Sequence, residues 1–136
     1  MDWTSCKKNR LAKEIKVDNN LISSLLKSSK NKLKAQESIP LDNDTSSAKL
    51  SLAYDAVREL LEALAVKNGY KIYNHECYYS FLKELLNQSS IAISFDKLRK
   101  IRNAINYYGK QISADEARTL INDSIMLIKR INDIFE

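Results

Sequence analysis

The chain has 136 residues, 44% of them hydrophobic and 29% charged, with a formal net charge of +5. That length holds one domain with a real core and excludes two ordinary ones. Two glycines and one proline leave too few turn residues for a many-stranded fold, and no aliphatic run approaches the ~20 residues of a membrane span.

Residues 4–16 read as a short helix with Leu11, Ala12 and Ile15 on its apolar side, and Trp3 as an anchor. Asp18 is a natural N-cap, since its carboxylate can accept from the free amides of a first turn. The helix it opens runs to about Glu37, with Leu21, Ile22, Leu25, Leu26 and Leu33 inward and Ser and Lys elsewhere. A loop built on Pro40 follows. The next helix starts near Thr45 or Ser46, and its Leu52, Ala53, Ala56, Val57, Leu60, Leu61 and Leu64 recur at three and four, the mark of a buried stripe. Gly69 then supplies a left-handed stop.

A further helix is predicted from about Asn74, burying Tyr78, Phe81, Leu82, Leu85 and Leu86, and Ile91 to Ser94 read as a connector. The helix after it carries an apolar stripe of Phe95, Leu98, Ile101, Ile105 and Tyr108 and is closed by Gly109. Ser113 and Glu116 form a capping box for a last helix that carries Leu120, Ile121, Leu127, Ile128, Ile131 and Phe135 inward. The expected fold is all-α, an up-and-down bundle of five to six helices.

The charge is uneven. Residues 1–36 hold nine Lys or Arg against three acids, whereas residues 37–136 hold thirteen against fourteen. Lys7, Lys8, Arg10, Lys13, Lys30 and Lys34 belong to this basic quarter, which suits a phosphate-facing surface as well as a simply solvated one. The start of the chain has no apolar signal core, which predicts a cytoplasmic protein with Cys6 and Cys77 as free thiols. His75 is the only histidine, and no Cys-x-x-Cys or His-x-x-x-His spacing supports a metal site; no cofactor is expected. At the edge of an apolar stripe, His75 suits a hydrogen-bonded structural role.

One edge of the fifth helix gathers Arg99, Arg102, Asn103 and Asn106 within an arc of about 100°, given their spacing of three and four. By itself this pattern favours a solvated or structurally paired face over a polar site at a groove or dimer seam. In the pairs Tyr78-Tyr79 and Tyr107-Tyr108, one ring can be core while the other points outward to stack on a base or a subunit.

The order of these features resembles the HEPN superfamily, small helical-bundle domains of bacteria and archaea, over about residues 20–132. The resemblance rests on the Leu-rich first helix, on Ser51 to Leu64 before Gly69, on His75 with Phe81 and Leu82, and on Leu98 to Asn103. It implies a bundle over residues 18–136 with residues 1–17 as an added helical extension. The family's motif is an Arg, a polar residue, three variable positions and a His. By position, Arg102 and Asn103 match its start, while Tyr107 stands where the His belongs. Many members are metal-independent ribonucleases working as dimers; others are toxins paired with small nucleotidyltransferases, or noncatalytic binders of RNA or nucleotides. A tyrosine with its ordinary pKa near 10 is poorly matched to proton transfer at neutral pH.

The implied function is therefore a cytoplasmic, homodimeric HEPN-type domain that binds RNA or a nucleotide with a degenerate ribonuclease motif. Arg102, Asn103 and Tyr107 would form its site. Arg99 and Asn106 would support it, His75 on a different helix is a further candidate for support whose reach to Arg102 the sequence leaves open, and the basic quarter would contact backbone phosphates. Alternatives are an active endoribonuclease of toxin–antitoxin type and a noncatalytic protein-interaction module.

Overall fold

The computed structural model describes residues 1–135. Among them, six helices and one two-stranded ribbon form an all-α bundle: α1 (Trp3–Lys8), β1 (Ala12–Glu14), α2 (Asn19–Glu37), α3 (Ser46–Lys67), β2 (Tyr70–Ile72), α4 (Cys77–Ser80), α5 (Ser89–Tyr108) and α6 (Ala114–Phe135). No described helix is long and apolar enough to cross a membrane.

The central member is α3. Leu50, Ala53, Tyr54, Ala56, Val57, Leu60, Leu61, Leu64, Ala65 and Val66 are buried along it, and it packs against α2, α6, α5 and β2. Small residues on several of its faces let those neighbours approach closely. The predicted caps form: Asp18 accepts from the Leu21 amide at 3.0 Å, and Ser113 Oγ accepts from the Glu116 amide at 3.1 Å. Gly69 and Gly109 hold φ values of 85° and 65°, left-handed positions that favour glycine.

Another end is secured from outside its own helix. Lys49 on α3, only 7% exposed, donates to the carbonyls of Gln36 and Ile39 at the end of α2. A buried cation there satisfies acceptors that the helix leaves open and complements its dipole. Lys49→Met keeps the stem but removes the donor. It is expected to cost about 2 kcal/mol, the usual penalty for stranding buried acceptors, read as a lower urea midpoint.

Several expectations are corrected. Residues 4–16 are not one helix: α1 stops at Lys8, Arg10 turns with φ 60°, and Ala12–Glu14 pairs antiparallel with Tyr70–Ile72. Leu11, Ala12 and Ile15 fit a helical face in sequence, yet Leu11 O accepts from the Tyr73 amide and the Ile15 amide donates to Gly69 O, which extends the ribbon. Trp3, Cys6 and Ala12 thereby join the main core. The helix expected from Asn74 begins at Cys77 and widens into a π-helical turn over Phe81–Leu85. In that turn Phe81 and Leu82 are buried, whereas Leu85 is exposed. Ile91 to Ser94 are not a connector but the first turns of α5.

Tyr108, expected in the core, is 85% exposed, as Tyr107 is at 72%. The buried residues of α5 all lie in its first half, at Ile91, Ala92, Phe95 and Leu98. Ile101 and Ile105 still pack against the core, but from Asn106 on the helix is exposed, so neither ring of this tyrosine pair is covered. Nor are the cysteines free thiols. Cys6 and Cys77 are bonded across 71 positions, both fully buried, with Cα atoms 6.1 Å apart, inside the range a disulfide spans. The expectation of thiols came from compartment alone and could not see that α1 lies against α4.

Candidate functional site

The first half of α5 is fixed by Phe95, fully buried and stacked on Tyr54 of α3 at 5.7 Å and 17°. Its ring also meets Tyr78 of α4 edge-on at 5.8 Å. One and two turns further along, α5 presents Arg99, Arg102 and Asn103 to a cleft of about 350 Å³. The opposite wall is the turn after β2, with Tyr73, Asn74, His75 and Glu76, and Leu11 closes one end. Arg99, Arg102, Asn103, Tyr107 and His75 therefore share one cavity. Asn106 is exposed and outside its lining.

The two arginines differ. Arg99 Nε donates to Asp96 at 2.9 Å, a pair one turn apart on the same helix. Arg102 lies over the Tyr54 ring at 5.1 Å. Its closest carboxylate, Asp55, stands at 4.0 Å, too far for a hydrogen bond, and its buried Nε has no acceptor among the described residues. A guanidinium held by an aromatic face and left short of acceptors is prepared for an anion from outside.

His75 reaches this site. Its Nδ1 is 2.9 Å from the Tyr54 hydroxyl. Burial raises the Tyr54 pKa to about 12, so the hydroxyl keeps its proton. Donating it to Nδ1 satisfies both groups and assigns the ring proton to Nε2. Burial, followed by the nearby charges of Arg58 and Arg102, lowers the His75 pKa to about 4. At neutral pH the imidazole is uncharged, its Nδ1 is occupied, and Nε2–H is the donor left for the cleft. An imidazole in this state can donate to an anion and is a weak base at neutral pH.

That depression links the site to stability. The unfolded chain protonates His75 near 6.5 and the folded one near 4, so between these values the unfolded state binds more protons and stability falls as pH drops. His75→Asn is expected to show a shallower loss of stability over that window than the parent chain, read from urea midpoints at successive pH values. Parallel curves would mean that His75 titrates normally.

Tyr54, Asp55 and Arg58 stand behind the cleft without having been expected there. The signal for Tyr54 was a hydroxyl-bearing ring within the buried stripe of α3. For Asp55 and Arg58 the sequence offers none. The basic residues fall on separate elements. Lys7, Lys8, Arg10 and Lys13 are exposed around α1 and β1, next in sequence to the cleft residue Leu11, whereas Lys30 and Lys34 line a shallow groove on α2 with Lys27 and Asn31. No three His, Cys, Asp or Glu converge among the described residues.

Compared with protein-family models, with curated proteins and with solved structures, the chain matches none of them.

Proposed function

We propose that this chain is a HEPN-type domain that binds RNA or a nucleotide through the Arg102–His75 cleft, as a homodimer with a degenerate ribonuclease motif. The observation that carries the reading is convergence. Arg102 arrives from α5 with a terminal nitrogen beyond hydrogen-bond reach of its carboxylate neighbour Asp55, and His75 arrives from the turn after β2 as a neutral donor. Together with Asn103 they offer a phosphate one cation and several neutral donors. Tyr107, exposed at the rim, gives a base a face to stack on. The exposed lysines supply further contacts to backbone phosphates. A cytoplasmic setting, a second copy across the protruding end of α5 and a small nucleotidyltransferase partner belong to the same proposal.

Binding is favoured over cleavage because the available imidazole atom carries a proton, whereas a general base needs an open lone pair. The test is anisotropy of a labelled single-stranded oligoribonucleotide across a salt series, beside incubation of total RNA with the protein. The expected result is binding that weakens steadily with salt, RNA left intact, and a dimer in sedimentation. Cleavage abolished by Arg102→Ala would establish the endoribonuclease instead. Absent or salt-independent binding would leave a protein-interaction module.

A further inference from the structure

The Cys6–Cys77 disulfide ties two parts of the chain that meet at the cleft. Cys77 follows His75 by two residues, and the segment between them is tightly wound: Cys77 N donates to Asn74 O at 3.0 Å, Tyr78 N to His75 O at 3.2 Å, and Glu76 N to the Asn74 side chain at 2.8 Å. Cys6 anchors the other end in α1. From there the chain returns through Arg10 to Leu11, whose carbonyl accepts from the Tyr73 amide at 2.7 Å and whose side chain lines the cleft. Both walls of the His75 turn are thus fastened to residues 1–15, and the covalent fastening is the disulfide.

We propose that this disulfide is a redox clamp on the cleft: closed, it holds the turn bearing His75 against Arg102, and its reduction by a dithiol frees that turn. As regulation of phosphate binding, the inference rests on the reading of the cleft given above; as geometry it does not. Once α1 and the start of α4 part far enough to expose the bond, one thiolate of the dithiol attacks one cystine sulfur and the other cysteine leaves as a thiolate; the dithiol's second thiolate then attacks its own sulfur in the mixed disulfide and the remaining cysteine leaves. Two electrons pass to the cystine, the dithiol leaves as its own disulfide, and Cys6 and Cys77 each take a proton. Two thiols need more room than a bonded pair, and neither sulfur has free space around it, since both residues are fully buried. Relief comes by moving α1 and the start of α4 apart. The remaining ties of α1 run from the Trp3 amide to Glu84, from Ser80 to the Met1 carbonyl and from the Trp3 ring to Tyr70 of β2, and none of them holds His75 or Asn74 directly.

His75, as the only imidazole in the chain, reports the clamp without any ligand. The groups facing it are Tyr54, Asp55 and Arg58 from α3, Arg99 and Arg102 from α5, and Tyr78 and Glu76 beside it. The experiment uses the whole chain isolated without reductant. Thiols are counted after denaturation, the His75 ring resonances are followed against pH before and after a dithiol is added, and helicity is recorded by circular dichroism. The expected outcome is no free thiol at first and two after reduction, helicity kept, and a His75 midpoint that rises from about 4 toward the ordinary value by about one pH unit or more. The Cys6→Ser/Cys77→Ser chain should behave like the reduced form with no dithiol present.

Two free thiols at the outset, an unmoved midpoint, or collapse of helicity on reduction would each overturn the clamp. Oligoribonucleotide binding, measured in both forms, separates the two readings. A loss of about tenfold on reduction supports both. A moved His75 with no RNA bound by either form keeps the clamp and removes the phosphate reading. An unmoved His75 with RNA bound equally does the reverse.

Discussion

Arg102→Ala is expected to lower affinity for a single-stranded oligoribonucleotide by at least about tenfold, since a charge-assisted hydrogen bond contributes about 1.5–3 kcal/mol. Its Nε lacks an acceptor within the described residues, and its carboxylate neighbour Asp55 is 4.0 Å away. The terminal nitrogens, beyond hydrogen-bond reach of Asp55, are therefore the part of the guanidinium that a ligand in the cleft can engage. The salt dependence should also become shallower, by about 0.7 in slope for each single-strand phosphate that is no longer neutralised. Arg102→Lys keeps the charge without the planar fork and should fall between parent and alanine. Stability falls as well. The stacking over Tyr54, with the arginine side chain only 20% exposed, contributes about 1–2 kcal/mol, a decrease that a melting curve resolves from the binding effect. Unchanged affinity in the alanine chain would remove Arg102 from the site.

Phe95→Ala should have the largest effect on the fold itself, about 3–5 kcal/mol. The ring is fully buried between Tyr54 and Tyr78, so its removal forfeits apolar transfer and two aromatic pairings and leaves a cavity among large, rigid neighbours. Against a typical domain stability of about 5–15 kcal/mol, that change leaves a substantial unfolded fraction at modest urea. Ile93→Ala, two residues away on the same helix but 59% exposed, is the control and should stay within about 0.5 kcal/mol of the parent. If both substitutions cost the same, the aromatic stack is not what holds α5 to the bundle.

The parts of this fold that were legible in the sequence are those set by local chemistry. The buried stripe of α3, the caps at Asp18 and Ser113, and the left-handed glycines at 69 and 109 depend on neighbours a few residues away, and their signals survive without tertiary context. The β1–β2 ribbon and the disulfide depend on residues about 60–70 positions distant, which no local period encodes. Apolar residues at 11, 12 and 15 serve a helix face and a paired strand equally well until the partner at 70–72 is known. Tyr108 misled for the opposite reason: its spacing was right for the stripe, but α5 runs on after the core has ended. At the site, the spacing of Arg99, Arg102 and Asn103 on one edge was readable. That His75 would be held there by Tyr54 was not, because the two are joined only through packing.

The ribbon and its neighbours also set an order of assembly. Residues 2–15 are made long before their partners, which lie at Gly69 to Glu84, so during synthesis this segment waits unpaired while α2 and α3 can already fold against each other. Closing so long a loop is entropically slow, although each doubling of its length adds only about 0.6 kcal/mol. The chain's single tryptophan, Trp3, sits in that waiting segment and packs edge-on to Tyr70 at 5.1 Å when it arrives. Its fluorescence therefore reports the docking of that segment onto the ribbon.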